Sequence, residues 1–359
     1  MKALKVPLFW APLSLIILGM LLVGCSDDDN STNPTTWEWT ALGTGMDASV
    51  HNLVTYDNKL IASGGFTTAG GTSANRIAAW NGSTWAALGS GMNGSIGALA
   101  VYNSKLIAGG QFTNAGGTDL NRIAAWNGSA WEELGTGTDD VIFSLAVYDN
   151  KLFAGGLFSN AGSVAVHGIA SWNGSSWAEV GTGFDGTGSV MTLYDGKLIV
   201  AGGISINSGA SATRVVAWDG SSWTALGTEM NGSIDALTVY DGKLIAGGGF
   251  TTAGGVSASH IAAWNGSAWA PLGSGVSDVV LFLTVYYGEL IAGGWFSAAG
   301  GESTNHIAAW DGSTWEPLGD GANGDVYNLV KYGDDLIAGG DFTTAGGITV
   351  NYIAAWSPQ

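Results

Sequence analysis

The sequence predicts an all-β protein, a seven-bladed β-propeller built from 46-residue units of four strands each. The first observation is a tryptophan in seven units at a constant spacing of 46 residues: Trp80, Trp126, Trp172, Trp218, Trp264, Trp310 and Trp356. The second is another tryptophan series with the same spacing: Trp39, Trp85, Trp131, Trp177, Trp223, Trp269 and Trp315. The third is the regular alternation of short apolar runs with Gly, Asn and Asp turns. A repeat of this length with evenly spaced turns is typical of a propeller blade.

The four strands follow one another in the same order in every unit. In the second unit, Ile96–Tyr102 is apolar or small on both faces, which predicts an innermost strand buried on both sides. The second and third strands are expected at Leu106–Phe112 and Arg122–Trp126. The turn between the first two strands carries pairs such as Asp195-Gly196, which supply the positive φ that a two-residue hairpin needs.

The fourth strand, such as Trp131–Leu134, is expected to be the outermost. Pro271 and Pro317 lie in it, and proline is tolerated on edge strands. Glu132 and Glu133 lie there as well, and charges discourage pairing between exposed edges.

The first and last units are expected to complete each other. The seventh unit lacks its own fourth strand, and residues 37–42 form a spare one before the first unit. We expect this strand to close the ring, so that residues 37–359 form one propeller.

Residues 1–24 are predicted to be a lipoprotein signal peptide. Lys2 and Lys5 precede an uncharged apolar run from Pro7 to Val23. The run ends in Leu-Val-Gly-Cys25, which resembles a bacterial lipobox, and residues 25–36 then read as an acidic polar tether. The resemblance implies a lipidated Cys25 and a membrane partner through that lipid, hence a bacterial outer-membrane lipoprotein that is periplasmic or surface-exposed. A plain signal peptide with an incidental cysteine is the alternative.

Composition excludes several functions. Lys and Arg number 11 against 29 Asp and Glu, a net charge of −18, and nucleic-acid binding requires the opposite sign. A single Cys excludes a disulfide framework and a cysteine zinc site. We predict no cofactor and no metal, and we expect a monomer. Asp47, Asp139 and Asp185 recur in loops where calcium is conceivable, although Asp is also an ordinary turn residue.

Two motifs carry a resemblance to known propellers. Gly-Gly pairs such as Gly109-Gly110 at the end of the second strand, and Trp opening the fourth, resemble kelch and galactose-oxidase-type repeats. The motif Ile-Ala-Ala-Trp-Asn-Gly-Ser-x-Trp is most similar to propeller repeats of fungal cell-polarity cortical markers and related bacterial envelope lipoproteins. The resemblance implies the fold and leaves function open. Galactose oxidase chemistry is not expected, because Cys25 belongs to the lipobox and no other Cys remains for the Tyr–Cys crosslink. Sialidase chemistry is not expected either, because the three Arg lie in different blades.

Function is expected where the repeats differ. The long loops, such as Phe112–Asn121 and Gly135–Val141, share one side of the disc, which we call the loop face. One variable position there holds His51, Gly97, Phe143, Ser189, Asp235, Leu281 and Tyr327. The other holds Gly65, Gln111, Leu157, Gly203, Gly249, Trp295 and Asp341.

These positions suggest a ligand-binding site of Trp295, Tyr327, Asp341, His51 and Asp235. An aromatic ring beside a carboxylate and an imidazole could stack on and hydrogen-bond to a glycan or a protein side chain. Trp295 could instead fill space at the channel mouth. The leading hypothesis is a non-enzymatic binding or adhesion module. The alternatives are a carbohydrate-active enzyme using Asp341, Asp235 or His51 as acid or base, and a structural partner in an envelope assembly.

Overall fold

The structure is a computed structural model that describes residues 36–182, 184–206 and 212–359. Residues 36–359 form one compact unit. The innermost strand of each blade contacts the innermost strands of both neighbouring blades, so the described strands form a closed seven-membered ring. The predicted signal peptide, Cys25 and the tether as far as residue 35 lie outside the described residues. Within the described ranges, no helix has the length and apolarity needed to cross a membrane.

Each blade contains four antiparallel strands, named A to D from the axis outward, as predicted. Strands A are Val50–Tyr56, Ile96–Tyr102, Ile142–Tyr148, Val190–Tyr194, Ala236–Tyr240, Val280–Tyr286 and Val326–Tyr332. Strands B are Lys59–Gly64, Lys105–Gly110, Lys151–Gly156, Lys197–Ile206, Lys243–Gly247, Glu289–Gly294 and Asp335–Gly340. Strands C are Ile77–Trp80, Ile123–Trp126, Ile169–Trp172, Ala212–Trp218, Ile261–Trp264, Ile307–Trp310 and Ile353–Pro358. Strands D are Trp85–Ala87, Trp131–Glu133, Trp177–Glu179, Trp223–Ala225, Trp269–Pro271, Trp315–Pro317 and Trp37–Ala41.

The first strand of the chain completes the last blade, as predicted. Trp37–Ala41 pairs antiparallel with Ile353–Pro358, with Trp39 opposite Trp356. Because strand D of blade 7 comes from the N-terminal side and strand C from the C-terminal side, backbone hydrogen bonds close the ring.

Short hairpins between strands B and C of six blades were not predicted. They pair Thr68–Ala69 with Thr72–Ser73, Asn114–Ala115 with Thr118–Asp119, Asn160–Ala161 with Val164–Ala165, Thr252–Ala253 with Val256–Ser257, Ala298–Ala299 with Glu302–Ser303, and Thr344–Ala345 with Ile348–Thr349. Each of these six blades buries a phenylalanine just before the hairpin, such as Phe112.

Blade 4 departs from the repeat despite its equal length. Strands Lys197–Ile206 and Ala212–Trp218 form one long hairpin, and Phe184–Gly186 pairs with it as a fifth strand. Ile204 takes the place of the buried phenylalanine, and Ile204 and Ile206 are both buried while Gly203, in the same strand, is exposed. This alternation favours continuation of strand B.

Burial differs from the prediction for the innermost strand. In strand A the middle residues are partly exposed, as in Ile96–Tyr102, whereas strand B is buried almost throughout, as in Lys105–Gly110. Strand A borders the central cavity, whereas strand B packs against residues of the neighbouring blades. Strand B is therefore the element covered on both faces.

The two tryptophan series pack between blades, as expected. Trp131 donates its indole N–H to the carbonyl of Leu88 in the preceding blade at 3.1 Å. The strand C series packs against glycines of the preceding blade. Gly135 has a φ of +60°, and a Cβ there would lie 3.2 Å from the Trp172 ring. Only glycine meets both the conformational and the steric condition at this position.

Candidate functional site

The first variable position is the extra residue of a β-bulge in five blades. In blade 1, Val50 pairs with Gly64 and Asn52 with Ser63, which leaves His51 unpaired. Tyr327 occupies the same place in blade 7. Blades 2, 3 and 6 have the bulge as well, and in blades 4 and 5 Ser189 and Asp235 directly precede strand A. A bulge redirects a side chain without changing the rest of the strand, so these positions can vary while the blade is kept.

In five blades the second variable position directly follows strand B, and it is tied to the same edge. In every blade except blade 4, its backbone N–H donates to the carbonyl of the residue two positions before the first variable position. The Trp295 amide bonds the Val279 carbonyl at 2.9 Å, and the Asp341 amide bonds the Asp325 carbonyl at 2.8 Å. Both variable series therefore lie at the loop-face end of the inner strands.

The residues at the first variable position of all seven blades surround one central cavity of about 290 Å³, which we call the mouth cavity. Of the predicted site residues, His51, Asp235 and Tyr327 line it, whereas Trp295 and Asp341 do not. The predicted group is thus split between the wall of the cavity and the rim around it.

The strongest association among the predicted residues joins blades 7 and 1. The rings of His51 and Tyr327 meet edge to face, with centroids 5.4 Å apart. The Asp341 charge acts on both side chains. Sequence reasoning missed Asp325, whose charge acts on Tyr327 and whose Oδ1 lies 3.5 Å from Nδ1 of His306. We call His51, Asp325, Tyr327 and Asp341 the rim cluster.

A sequence signal for Asp325 existed. Its repeat position holds Ser49, Ser95, Val141, Thr187, Ser233, Val279 and Asp325, so it also varies between units. Only the backbone bond between positions 325 and 341 shows that this third variable series belongs to the same rim.

The titratable groups of the mouth have shifted pKa values. Burial lowers the pKa of His51, against the opposing effect of the Asp341 charge, so the imidazole is mainly neutral at pH 7. Burial, together with the charges of Asp325 and Asp341, raises the pKa of Tyr327. Burial also raises the pKa of Asp235, against the hydrogen bond that Ser233 Oγ donates at 2.6 Å.

Asn328 carries an unsatisfied acceptor in the wall of the mouth cavity. At the same position in blade 1, the Asn52 amide donates to Ser63 Oγ and to the Ile96 carbonyl. Asn328 is only 7% exposed, and its Oδ1 has no hydrogen-bond partner. Buried polar atoms are paired in the great majority of cases, so this acceptor is a notable exception.

Three apolar side chains are exposed at the mouth and its rim. Trp295 is 48% exposed, and in the described part of the chain its ring stacks on no other aromatic ring. On the blade 3 side, Leu157 is 53% exposed and the cavity-lining Phe143 is also exposed. Trp295 therefore lies open to solvent.

Asp47 and Asp139 accept backbone hydrogen bonds, whereas Asp185, expected in the same kind of loop, lies in the extra strand of blade 4 opposite Ser205. Asp47 Oδ1 accepts the amides of Thr67 and Thr68 at 2.8 and 2.9 Å, and its Oδ2 accepts the Thr67 hydroxyl. Asn93, which carries no charge, accepts the equivalent two amides in blade 2. Hydrogen bonding thus explains the position without calcium. Across the three described ranges, no three His, Cys, Asp or Glu residues are grouped so as to hold a metal ion.

Comparison with solved structures shows the propeller fold alone. The chain is similar to the computationally designed Ika8 protein, with a TM-score of 0.53 and 14% identity over 88% of this chain and 98% of that one. It is similar to the WD40 beta propeller domain of Doa1, with a TM-score of 0.58 and 14% identity over 90% and 97% of the two chains. It also matches the extracellular domain of a putative one-component system from B. thetaiotaomicron, with a TM-score of 0.57 and 10% identity over 89% of this chain and 40% of that one.

Comparison at the level of sequence gives a partial family match. No curated protein matches the chain. Residues 124–285 match the Rax2 C-terminal beta propeller domain, which confirms the predicted similarity to fungal cell-polarity markers for that segment. The likeness to kelch and galactose-oxidase-type repeats stays a prediction. The chain is thus a seven-bladed β-propeller whose residues 124–285 are similar to the Rax2 C-terminal beta propeller domain.

Proposed function

We propose that this protein is a lipid-anchored binding module of the bacterial cell envelope, which takes a glycan or a protein ligand at the mouth cavity. One observation carries the proposal. The residues of the first variable position, which differ between otherwise similar blades, come together from all seven blades around a single cavity. A fold that needs only the repeated residues leaves these positions free to serve recognition.

The mouth offers two kinds of contact. Trp295 presents an open ring on which a sugar face or an apolar side chain can pack. The rim cluster adds polar groups, since His51, Tyr327 and Asp341 can form hydrogen bonds once a ligand displaces solvent. Rigid strands carry these groups, so little ordering is required on binding.

A carbohydrate-active enzyme is the second candidate, and one observation favours it. Burial raises the pKa of Asp235, as the general acid of a glycosidase requires. A partner carboxylate at a distance suited to glycoside hydrolysis would also be needed. Asp341, the other carboxylate expected for this role, does not line the cavity.

The first experiment exposes soluble residues 36–359 to a panel of polysaccharides, glycans and envelope proteins. Thermal unfolding and released sugar are measured in parallel. A ligand present at a hundred times its dissociation constant should stabilise the protein by about 2.7 kcal/mol, and Trp295→Ala should abolish that shift. Leu193→Ala is the matched control, because Leu193 is similarly exposed near the A–B turn, at the opposite end of strand A.

The outcomes separate the candidates. A Trp295-dependent shift without released sugar supports the binding module, whereas released sugar that Asp235→Asn abolishes supports the enzyme. Equal loss in Trp295→Ala and Leu193→Ala would contradict a site at the mouth. For the anchor, full-length protein expressed in a bacterium should incorporate labelled fatty acid, and Cys25→Ser should prevent this. Unchanged labelling of that variant would overturn the proposed lipidation.

A further inference from the structure

The mouth cavity is surrounded by negative charge. Asp235 lines it, and Asp325 and Asp341 belong to the rim cluster. In the described ranges, no Lys or Arg lines this cavity. Five of the lysines begin strands B at the opposite end of the blades: Lys59, Lys105, Lys151, Lys197 and Lys243.

The arginines of the loop face are occupied elsewhere. Arg76 donates to the Met92 carbonyl, Arg122 donates to the Gln111 carbonyl, and Arg214 lies 3.7 Å from Glu229. Near the rim cluster, the imidazole of His306 lies beside Asp325. The mouth therefore presents carboxylates with little positive charge to balance them.

A separate observation also points to a ligand that donates hydrogen bonds. The buried Asn328 Oδ1 in the cavity wall is an acceptor without a donor. Carboxylates and an amide oxygen are all acceptors, and an ammonium or guanidinium group supplies donors only. The rings of Tyr327 and Phe143, which line the same cavity, can also attract a cation through their faces.

The surroundings favour a peptide over an amino sugar. Leu157 is an exposed aliphatic side chain beside Phe143, and Trp295 is exposed at the blade 6 side. Aliphatic surface packs against apolar side chains of a peptide, whereas a sugar ring presents hydroxyl groups that leucine cannot pair.

We propose that the mouth recognises a basic peptide segment, with one lysine or arginine side chain in the cavity and apolar neighbours on Leu157 and Trp295. This inference rests on the proposed function and names its ligand class. The cationic head would lie beside Asp235 in the cavity, with the charges of Asp325 and Asp341 at the rim, and charge-assisted hydrogen bonds are stronger than neutral ones.

The test uses three probes against soluble residues 36–359: a peptide of alternating lysine and leucine, the same peptide with acetylated lysines, and a glucosamine oligomer. Isothermal titration measures each affinity at low and at moderate salt. The lysine peptide should bind, and acetylation should weaken binding about tenfold or more, because the charge is removed. Asp325→Asn and Asp341→Asn should each weaken it to a similar extent.

Asp320→Asn is the matched control, since it removes one exposed loop-face charge from outside the cavity. Unchanged affinity in this variant supports the inference. Equal losses in Asp320→Asn and Asp341→Asn would show attraction to overall charge and would overturn it, as would equal binding of the acetylated peptide. Binding of the glucosamine oligomer without the peptide would overturn the peptide assignment.

The proposed function can survive failure of this inference. A neutral ligand that needs Trp295 but is indifferent to Asp341→Asn would support the binding module and contradict a cationic ligand. Absence of any Trp295-dependent ligand, basic or neutral, would contradict both.

Discussion

The Asp139 side chain, which lies just before strand A of blade 3, holds the hairpin between strands B and C of the same blade. Its Oδ1 accepts the amides of Ser159 and Asn160, and its Oδ2 accepts the Ser159 hydroxyl and the Asn160 side-chain amide. Burial opposes ionisation, but the hydrogen bonds from Asn160 and Ser159 outweigh it and lower the pKa of Asp139 to about 2. The ionised carboxylate is therefore the form that the fold prefers.

The Asp139 contribution should depend on pH in a defined direction. Because the pKa is lower in the folded chain than its ordinary 3.8, the stabilisation is complete above about pH 4 and disappears as the pH falls through about 2. Asp139→Asn should lose this dependence, since Asn93 accepts the equivalent amides without charge. Asp139→Ala should cost about 1–2 kcal/mol at pH 7. Urea unfolding from pH 2 to 7 measures both, and an Asp139→Asn curve parallel to the wild-type curve would contradict the prediction.

Strand D contributes a ring of hydrogen bonds between blades. Seven indole N–H groups donate to carbonyls 43 residues earlier, or to Leu318 for the first strand. The donors are Trp39, Trp85, Trp131, Trp177, Trp223, Trp269 and Trp315. Each bond joins the outermost strand of one blade to the strand D end of the preceding blade. The outer edges of the blades are thereby fastened together around the disc.

Loss of one member of this ring should be costly. Trp177→Phe keeps an aromatic ring but leaves the Leu134 carbonyl without its donor, so we expect a loss of about 1–3 kcal/mol. Trp177→Ala should cost about 3–5 kcal/mol, because a buried ring is removed as well. Chemical denaturation measures both variants. Trp295→Ala provides the comparison, since its exposed ring should change stability by less than about 0.5 kcal/mol. Equal losses at positions 177 and 295 would contradict the assigned roles.

At the scale of the whole molecule, the ring closes at a seam where Trp37–Ala41 pairs with Ile353–Pro358. An aromatic cluster adds to this backbone pairing. Trp37 stacks on Trp356 and meets Tyr286 and Tyr287 edge to face, with centroids 5.4 Å from Tyr287. Tyr287 has a φ of 46°, an unfavourable conformation for a bulky side chain. The six other blades have serine at the Trp37 position, and Asp, Asn or Gly at the Tyr287 position.

Trp37 lies in blade 7, the blade in which no turn connects strands C and D, and Tyr287 lies in the A–B turn of blade 6 and contacts Trp37. We therefore expect Trp37 and Tyr287 to stabilise the closed ring jointly. Trp37→Ser and Tyr287→Asn, which restore the repeat residues, should show a coupling of about 0.5–1.5 kcal/mol in a double-mutant cycle. Hydrogen exchange of the Trp37–Ala41 amides should accelerate in Trp37→Ser. Additive effects in the cycle, or unchanged exchange, would contradict a joint role.

Much of the architecture could be predicted from the order of residues alone. The 46-residue spacing of Trp80 and Trp126 gave the blade count, and Pro271 marked the outer strand. The spare strand near Trp39 predicted the closure. These signals are local or periodic, so they need no knowledge of distant contacts. The departure of blade 4 from the repeat was not predicted, because its 46-residue period is intact and the signal lies in the alternation of apolar residues at Ile204 and Ile206.

The candidate site was only partly predictable. Variation between units singled out His51, Tyr327 and Asp235, which line one cavity, together with Asp341 in the same rim cluster. Sequence variation could not show that Trp295 lies outside the cavity lining or that Asp325 lies close enough for its charge to act on Tyr327. It could not reveal the bulges either, since a bulge is defined by how a strand pairs with its neighbour.

The sequence by itself thus determined the blade number, the strand order and the positions free to vary, because the repeat spacing and the turn residues can be recognised without knowledge of distant contacts. Only the tertiary structure decided which variable residues meet. The predicted closure places blade 7 beside blade 1, but it does not show that the rings of His51 and Tyr327, 276 positions apart, come into contact. Such contacts depend on the bulges and on how the inner strands pair, which no local pattern encodes.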